Sequence, residues 1–297
     1  MFDWGFTLVL LTNGLLIGLM YSLIALGFVL VYKATDAINF AQGEFVMLAG
    51  FIIAGLLFLA GAPFWVSAIV AVLGMVAFGF GLERIVLRPL IGRPIIAVIM
   101  ATIGLATVLR GAAPLFFGAE TRALTLPISD EPIVLGTITL PPVQLVGALL
   151  SLAFLGAFTW FFLKSRMGVA MRAVADNQQV AMAMGIHVER YFAIAWGLAG
   201  IVSALGGLAW GALLGVDVHL ALIGLKVFPV VILGGLDSIL GAIVGGLIVG
   251  VVENLAAGYL DPLVGGGTKD FAPYVLMIVM LMIRPYGIFG KARIERV

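Results

Sequence analysis

Charged residues divide this sequence into long apolar runs. Residues 4–32 carry no charge, and an uncharged run of about 20 residues is what one helical crossing of a membrane requires. No basic leader and cleavage site precede that run, so it is expected to be a first retained span and not a removed signal peptide. Residues 45–82 form one uncharged stretch of 38 residues, too long for a single crossing, and Gly61, Ala62 and Pro63 split it into two. Further spans are expected at residues 94–109, 142–163, 191–214 and 271–283. Between residues 220 and 259 the apolar pattern is interrupted by Lys226, Pro229, Gly234, Gly235, Asp237 and Glu253. That stretch predicts a short leg over 220–233 and a longer one over 238–259. The short leg would place the joint inside the membrane, where protein or a water-filled cavity must satisfy the backbone. The pattern therefore predicts an all-α, polytopic transmembrane protein with nine legs, eight to ten being the workable range, in one transmembrane domain over 1–297.

Composition agrees with that pattern. Apolar residues make up 63% of the 297 positions and charged residues only 10%, against roughly 25% in a soluble domain. Thirty-nine glycines point to helices packed through small faces, and the absence of cysteine excludes disulfides and thiolate chemistry. A net charge of +1 argues against a nucleic-acid partner. Twelve of the sixteen basic residues fall on one side of the nine-leg arrangement: Lys33, Arg84, Arg88, Arg93, Lys164, Arg166, Arg172, Arg190, Arg284, Lys291, Arg293 and Arg296. The other four are Arg110, Arg122, Lys226 and Lys269. By the positive-inside bias the first set is cytoplasmic, as is the C-terminus, and the odd number of legs puts the N-terminus outside. Residues 111–141 then form the main external loop, with Pro127, Pro132, Pro141, Asp130 and Glu131 making it polar and ordered.

Soluble-enzyme signatures are missing. His187 and His219 lie 32 residues apart with no metal-binding helix pattern, and neither a phosphate-binding GxxxxGK[ST] loop nor a GxSxG nucleophile is present. Enzyme activity and a resident metal or cofactor are not expected. Glu44, Asp237 and Glu253 are carboxylates at or inside spans, where an ion costs several kcal/mol unless paired or hydrated. For Glu44 and Asp237, capping a helix N-terminus and lining a path are compatible readings. For Glu253, beside Asn254, an interfacial position is expected. Asn13, Tyr21, Asn39, Gln42 and Thr102 are neutral polar groups at membrane depth, each open to an interhelical hydrogen bond or a solute contact. A weak internal similarity links residues 37–44 with 235–241, including Ser238: both set short polar residues and glycine at the mouth of a span. Paired interruptions of that kind point to a translocation path. GxxxG spacings at Gly241/Gly245, Gly246/Gly250 and Gly207/Gly211 permit close helix contact, within the chain or across a dimer.

The segment over residues 164–189 is far longer than a bare connector. Met171, Val174, Ala181 and Met182 recur at helical spacing against Arg172, Asp176, Asn177 and Gln179, predicting one amphipathic helix stopped by Gly185. Such a helix either lies on the inner leaflet or inserts into a cytosolic partner, with methionines as adaptable anchors.

Residues 13–50 (NGLLIGLMYSLIALGFVLVYKATDAINFAQGEFVMLAG), 167–188 (MGVAMRAVADNQQVAMAMGIHV) and 226–254 (KVFPVVILGGLDSILGAIVGGLIVGVVEN) resemble, in order and spacing, the LivH-type permeases of bacterial branched-chain amino acid ABC importers. Urea and amide permeases, and more distantly sugar permeases, share the pattern. The resemblance implies a permease in the bacterial inner membrane. It would pair with a LivM-like permease or a second copy of itself, with two cytosolic ATPase subunits that use ATP and magnesium, and with an external solute-binding protein. It implies a coupling helix built from Met171, Arg172, Val174, Ala175, Asp176, Asn177, Gln178, Ala181, Met182, Gly185 and Ile186. It also implies a path lined or flanked by residues 37–44 and 234–238. Leucine-like amino acids are then the expected cargo, with urea or an amide, or an ATP-independent channel, as alternatives. A zwitterionic solute would be held transiently by helix ends and neutral polar groups.

Overall fold

A computed structural model of the protein describes residues 4–90, 93–129, 131–136 and 138–290. Lys291, Arg293, Arg296 and Asp130 lie outside them. Among the described residues, nine helices occupy the nine expected legs: α1 (Trp4–Thr35), α2 (Gln42–Phe58), α3 (Phe64–Leu82), α4 (Ile95–Phe117), α5 (Pro142–Lys164), α8 (Val188–Leu214), α9 (Ile223–Gly234), α10 (Ile239–Tyr259) and α12 (Thr268–Ile283). Between them lie α6 (Arg166–Asp176), α7 (Gln178–Ala183) and the one-turn α11 (Asp261–Val264). Among the described residues, six helices are long and apolar enough to cross a membrane, and α2 and α9 are shorter apolar helices. Glycines in the left-handed region, at φ +88° for Gly118 and +85° for Gly215, stop α4 and α8 where a side chain would be strained.

The largest departures from the sequence pattern follow Leu109 and Leu82. Helix α4 continues past Leu109 to Phe117, because Arg110 does not meet hydrocarbon as a bare charge but pairs with Glu44. The connection that follows is correspondingly shorter and contains a hairpin the pattern does not predict, β1 (Ile133–Leu135) with β2 (Ile138–Leu140), antiparallel with Val134 opposite Thr139. Gly136, at φ +66°, supplies its turn. Beyond α3 the helix widens into a π-helical turn (Glu83–Leu87) in which buried Glu83 receives Arg88, and Arg88 reaches Glu189 at 3.1 Å.

The fold comprises two compact units. One is drawn from residues 30–127 and 153–225, and its core joins α2, α3 and α8. Phe45 meets Phe78 edge-on at 5.2 Å and Trp196 at 6.0 Å, and Met75 and Ala199 fill the space between. The α3 and α8 backbones nearly touch: a Cβ on Gly79 would stand 2.3 Å from the Trp196 carbonyl oxygen, and one on Gly200 2.2 Å from that of Met75.

The other unit is drawn from residues 1–29, 128–152 and 226–297. Its GxxxG spacings pack within the chain. Gly246 and Gly250 of α10 face Gly14 and Gly18 of α1, and Ser22 seals the contact by donating its hydroxyl to the Gly18 and Ile243 carbonyls at 2.8 and 3.1 Å. Gly241 and Gly245 of the same helix pack on Gly234 and Val230 of α9. In lipid, where tails are as apolar as leucine, such close packing holds helices together.

A methyl group at Gly250 would sit 2.4 Å from the Gly14 carbonyl oxygen. Gly250→Ala is therefore expected to lower stability by about 2 kcal/mol or more through overpacking. Thermal unfolding of the detergent-solubilised protein measures this; an unchanged midpoint contradicts the close α1–α10 contact.

Candidate functional site

Helix α1 ends at Thr35 and α2 begins at Gln42, and the six residues between them are non-helical and largely buried. Polar groups removed from water there need partners, and several find them. Asp36, at φ +56°, donates its N–H to Tyr32. Asn39 accepts from the Ala41 N–H at 3.0 Å and donates its amide to Gln42 Oε1 at 3.3 Å. Gln42 donates to the Ser203 hydroxyl of α8 at 3.0 Å, and the Thr102 hydroxyl of α4 accepts from the Phe40 N–H at 3.3 Å. Asn39, Gln42, Thr102 and Ser203 are all fully buried. Three candidate path residues thus form one network that holds the start of α2 against α4 and α8.

One turn into α2, Glu44 is buried and its carboxylate is clasped by Arg110 of α4. Arg110 was expected only as a charge marking the outer end of a span. It stands within the helix instead, exposed beside Thr107. The signal for it was present: after Arg110 the apolar pattern resumes as Gly-Ala-Ala-Pro-Leu-Phe-Phe.

The remaining candidates of the path lie in the other unit. Tyr21 is buried and donates to the carboxylate of Glu253, which also lies 3.7 Å from the Lys269 ammonium. Glu253 is therefore a buried, paired group; two cations, Lys269 and the Lys226 that binds Asp270 at 2.7 Å, make its burial tolerable. The side-chain oxygen of Asn13 is buried without a hydrogen-bond partner. Ser238, not Asp237, caps α10, accepting from the Gly241 N–H at 3.0 Å. Across the same break the backbone N–H groups of Ile288 and Phe289 donate to the Leu233 and Gly234 carbonyls, closing the end of α9.

The segment expected as one amphipathic helix is two. Asn177 is extended, at φ −159°, and its side chain accepts from the Val180 N–H at 3.0 Å, so the residue that ends α6 also starts α7. The apolar faces divide accordingly. Met171, Val174 and Ala181 are buried against the protein, while Val180, Met182 and Met184 are 58%, 56% and 78% exposed. Two of the expected methionine anchors thus differ in fate: Met171 is core, Met182 is surface. Val180 and Met184, unpredicted, complete the outward patch. Arg172 is equally inward, donating to the Phe162 and Leu163 carbonyls that end α5 and lying 5.4 Å from the Phe162 ring. Gln178 donates to the Ala34 carbonyl near the end of α1 at 3.2 Å. Ala175 is half-buried and Asp176 exposed. Gly185, at φ +82°, stops α7, and beside it an open cleft of about 370 Å³ is lined by Met182, Ile186, His187, Val188 and Glu189.

A polar clip joins residue 121 to the turn after α8. Arg122 and Val216 exchange backbone hydrogen bonds, and the Thr121 hydroxyl donates to Asp217 at 2.8 Å. Burial raises the Asp217 pKa, but the Thr121 hydroxyl, the His219 N–H and the His219 imidazole outweigh it and hold the carboxyl below its ordinary value. A depressed carboxylate stabilises the fold fully above its unfolded pKa of about 3.9 and loses that contribution as pH falls through the lower folded value. Acidification from pH 6 to below about 4 is expected to speed proteolysis within residues 118–141, an acceleration that Asp217→Asn abolishes. Equal rates at both pH values in the unsubstituted protein contradict the clip.

Comparison with known proteins gives one consistent set. The family described as branched-chain amino acid transport system permease component matches residues 10–283. The high-affinity branched-chain amino acid transport system permease protein LivH of Salmonella typhimurium is 31% identical, with 96% of each chain covered. BraD of Pseudomonas aeruginosa, described in the same words, is 30% identical over 97% of each chain. A probable LivH of the archaeon Methanocaldococcus jannaschii is 30% identical over 90% of this chain and 88% of its own.

Proposed function

The chain belongs to the family of permease components of branched-chain amino acid transport systems, and we propose on that footing that it is the membrane-spanning subunit through which an ATP-driven importer moves branched-chain amino acids. The observation that carries the reading is the 31% identity to a LivH permease over 96% of the chain. The absence of any phosphate-binding loop from the sequence accords with an energy source on a separate polypeptide, so that the ATP and magnesium belong to two ATPase subunits and no chemical step to this chain. A LivM-like permease or a second copy, and an external solute-binding protein, complete the assembly in the inner membrane. The excess of basic residues on the side of Lys33, Arg88 and Lys164 supports a cytoplasmic position for that side and for α6 and α7.

In this reading the outward face of α7 is the ATPase contact. Val180, Met182 and Met184 offer adaptable apolar anchors for a cytosolic groove. The inward contacts give the movement somewhere to go, since Arg172 grips the end of α5 and Gln178 the end of α1. ATP-driven closure of the two cytosolic subunits then shifts α6 and α7 as a body and tips those helix ends, alternating the access of the path between the two sides.

Replacing Val180, Met182 and Met184 together with serine removes about 3 kcal/mol or more of apolar contact from the docked state. Solute-stimulated ATP hydrolysis by the assembled complex is expected to fall at least tenfold, while the isolated permease keeps its thermal midpoint. Unchanged hydrolysis refutes the assignment of α7.

A further inference from the structure

We infer that Arg110 is a carboxylate-reading group of the translocation path, holding the α-carboxylate of the transported zwitterion midway through the membrane; this rests on the amino-acid permease reading above. Helix α4 has 23 residues and is about 34 Å long, and Arg110 stands only about 6 Å from its midpoint. For a helix centred in a hydrocarbon layer roughly 30 Å thick, that is well inside the layer. The Arg110 side chain is nevertheless 50% exposed, whereas its partner Glu44 is 3% exposed. A structural ion pair at that depth would bury both members. One charge hidden and the other presented leaves guanidinium donors open to water, a polar solute or a partner subunit, because bare exposure to lipid would cost several kcal/mol.

Beside it on the exposed side of α4 stand Thr107 and the apolar Ile103. Only Nη2 is engaged by Glu44. The fork keeps further N–H donors, which suit a planar carboxylate in bidentate geometry. Pro114 carries no N–H for the Arg110 carbonyl four residues earlier, leaving an acceptor outside the helix ladder on the same turn, which suits the solute's ammonium. Glu44 sets the affinity. By neutralising part of the cation it keeps the hold weak enough to release the solute at each turn of the cycle. The network of Asn39, Gln42, Thr102 and Ser203 fixes the start of α2, and with it Glu44, against α4.

The test uses the complete transporter, with its ATPases and binding protein, in proteoliposomes supplied with labelled L-leucine. Arg110→Gln is expected to lower uptake at least tenfold while assembly and ATP hydrolysis stimulated by the loaded binding protein stay within twofold of the unsubstituted complex; Arg110→Lys restores part of the uptake. Because Arg110→Gln strands a buried carboxylate, the double variant Glu44→Gln/Arg110→Gln supplies a neutral pair in its place. Persistent loss of uptake with intact assembly in the double variant supports the inference. Recovery of uptake in the double variant overturns it, making the pair purely structural, and loss of assembly in both variants overturns it in favour of a subunit contact. Failure of the unsubstituted complex to accumulate leucine at all is a different result, which refutes the amino-acid reading itself.

Discussion

Backbone polar groups away from water must find partners inside the protein, and that requirement governs this fold wherever a helix stops short. Unbroken helices meet it without help, which is why α1, α5 and α8 need little beyond apolar residues. The breaks do not. Between α1 and α2, Asn39 and Thr102 serve the N–H groups of Ala41 and Phe40 that no helix ladder reaches. Between α9 and α10, Ser238 serves Gly241 from one side, and Ile288 and Phe289 serve the Leu233 and Gly234 carbonyls from the other. Polar residues that look like candidates for solute contact therefore have a prior obligation to the backbone. Asn39 and Thr102 discharge it, while Gln42 ties Asn39 to Ser203 of α8. Arg110 owes the backbone no such bond, and the role proposed for it starts from that.

The glycine lanes act on the next level. With a Cβ at Gly79, Gly200, Gly246 or Gly250 excluded by backbone or side-chain atoms less than 2.5 Å away, the helices of each unit are locked at fixed separation. Packing of this kind resists small deformation, so movements are expressed as rotations of whole helix groups. Arg172 and Gln178 connect α6 and α7 to the ends of α5 and α1, not to their middles, where a small displacement has the longest lever.

Much of the fold is legible in the sequence because length and apolarity alone define a crossing. The nine legs, the turn at residues 61–63, the short leg before residue 234 and the stop at Gly185 all follow from uncharged runs and helix breakers. What was not legible depends on partners distant in sequence. Arg110 reads as the end of a span until Glu44, 66 positions earlier, neutralises it. The burial of Glu253 between Tyr21 and Lys269 depends likewise on residues far away in the chain. In the segment after α5, helical spacing correctly shows that an apolar face exists. It cannot show that Asn177 interrupts the helix, because an asparagine that caps and one that is merely exposed look alike in the sequence. The division of apolar residues between Met171 on the inside and Met184 on the outside follows from that single interruption.

A six-residue helix such as α7 has no lasting shape in water by itself, since the cost of its first turn is never recovered over so few residues. Here the shape is imposed from outside, by the Asn177 cap, the Gln178 strap to Ala34 and the left-handed stop at Gly185. Were an ATPase subunit to dock there, as proposed, it would meet a knob that is already ordered, and none of the association free energy would be diverted into ordering it. Such a contact can be small, fast to form and fast to part, which suits a handhold that must be seized and let go once per turnover.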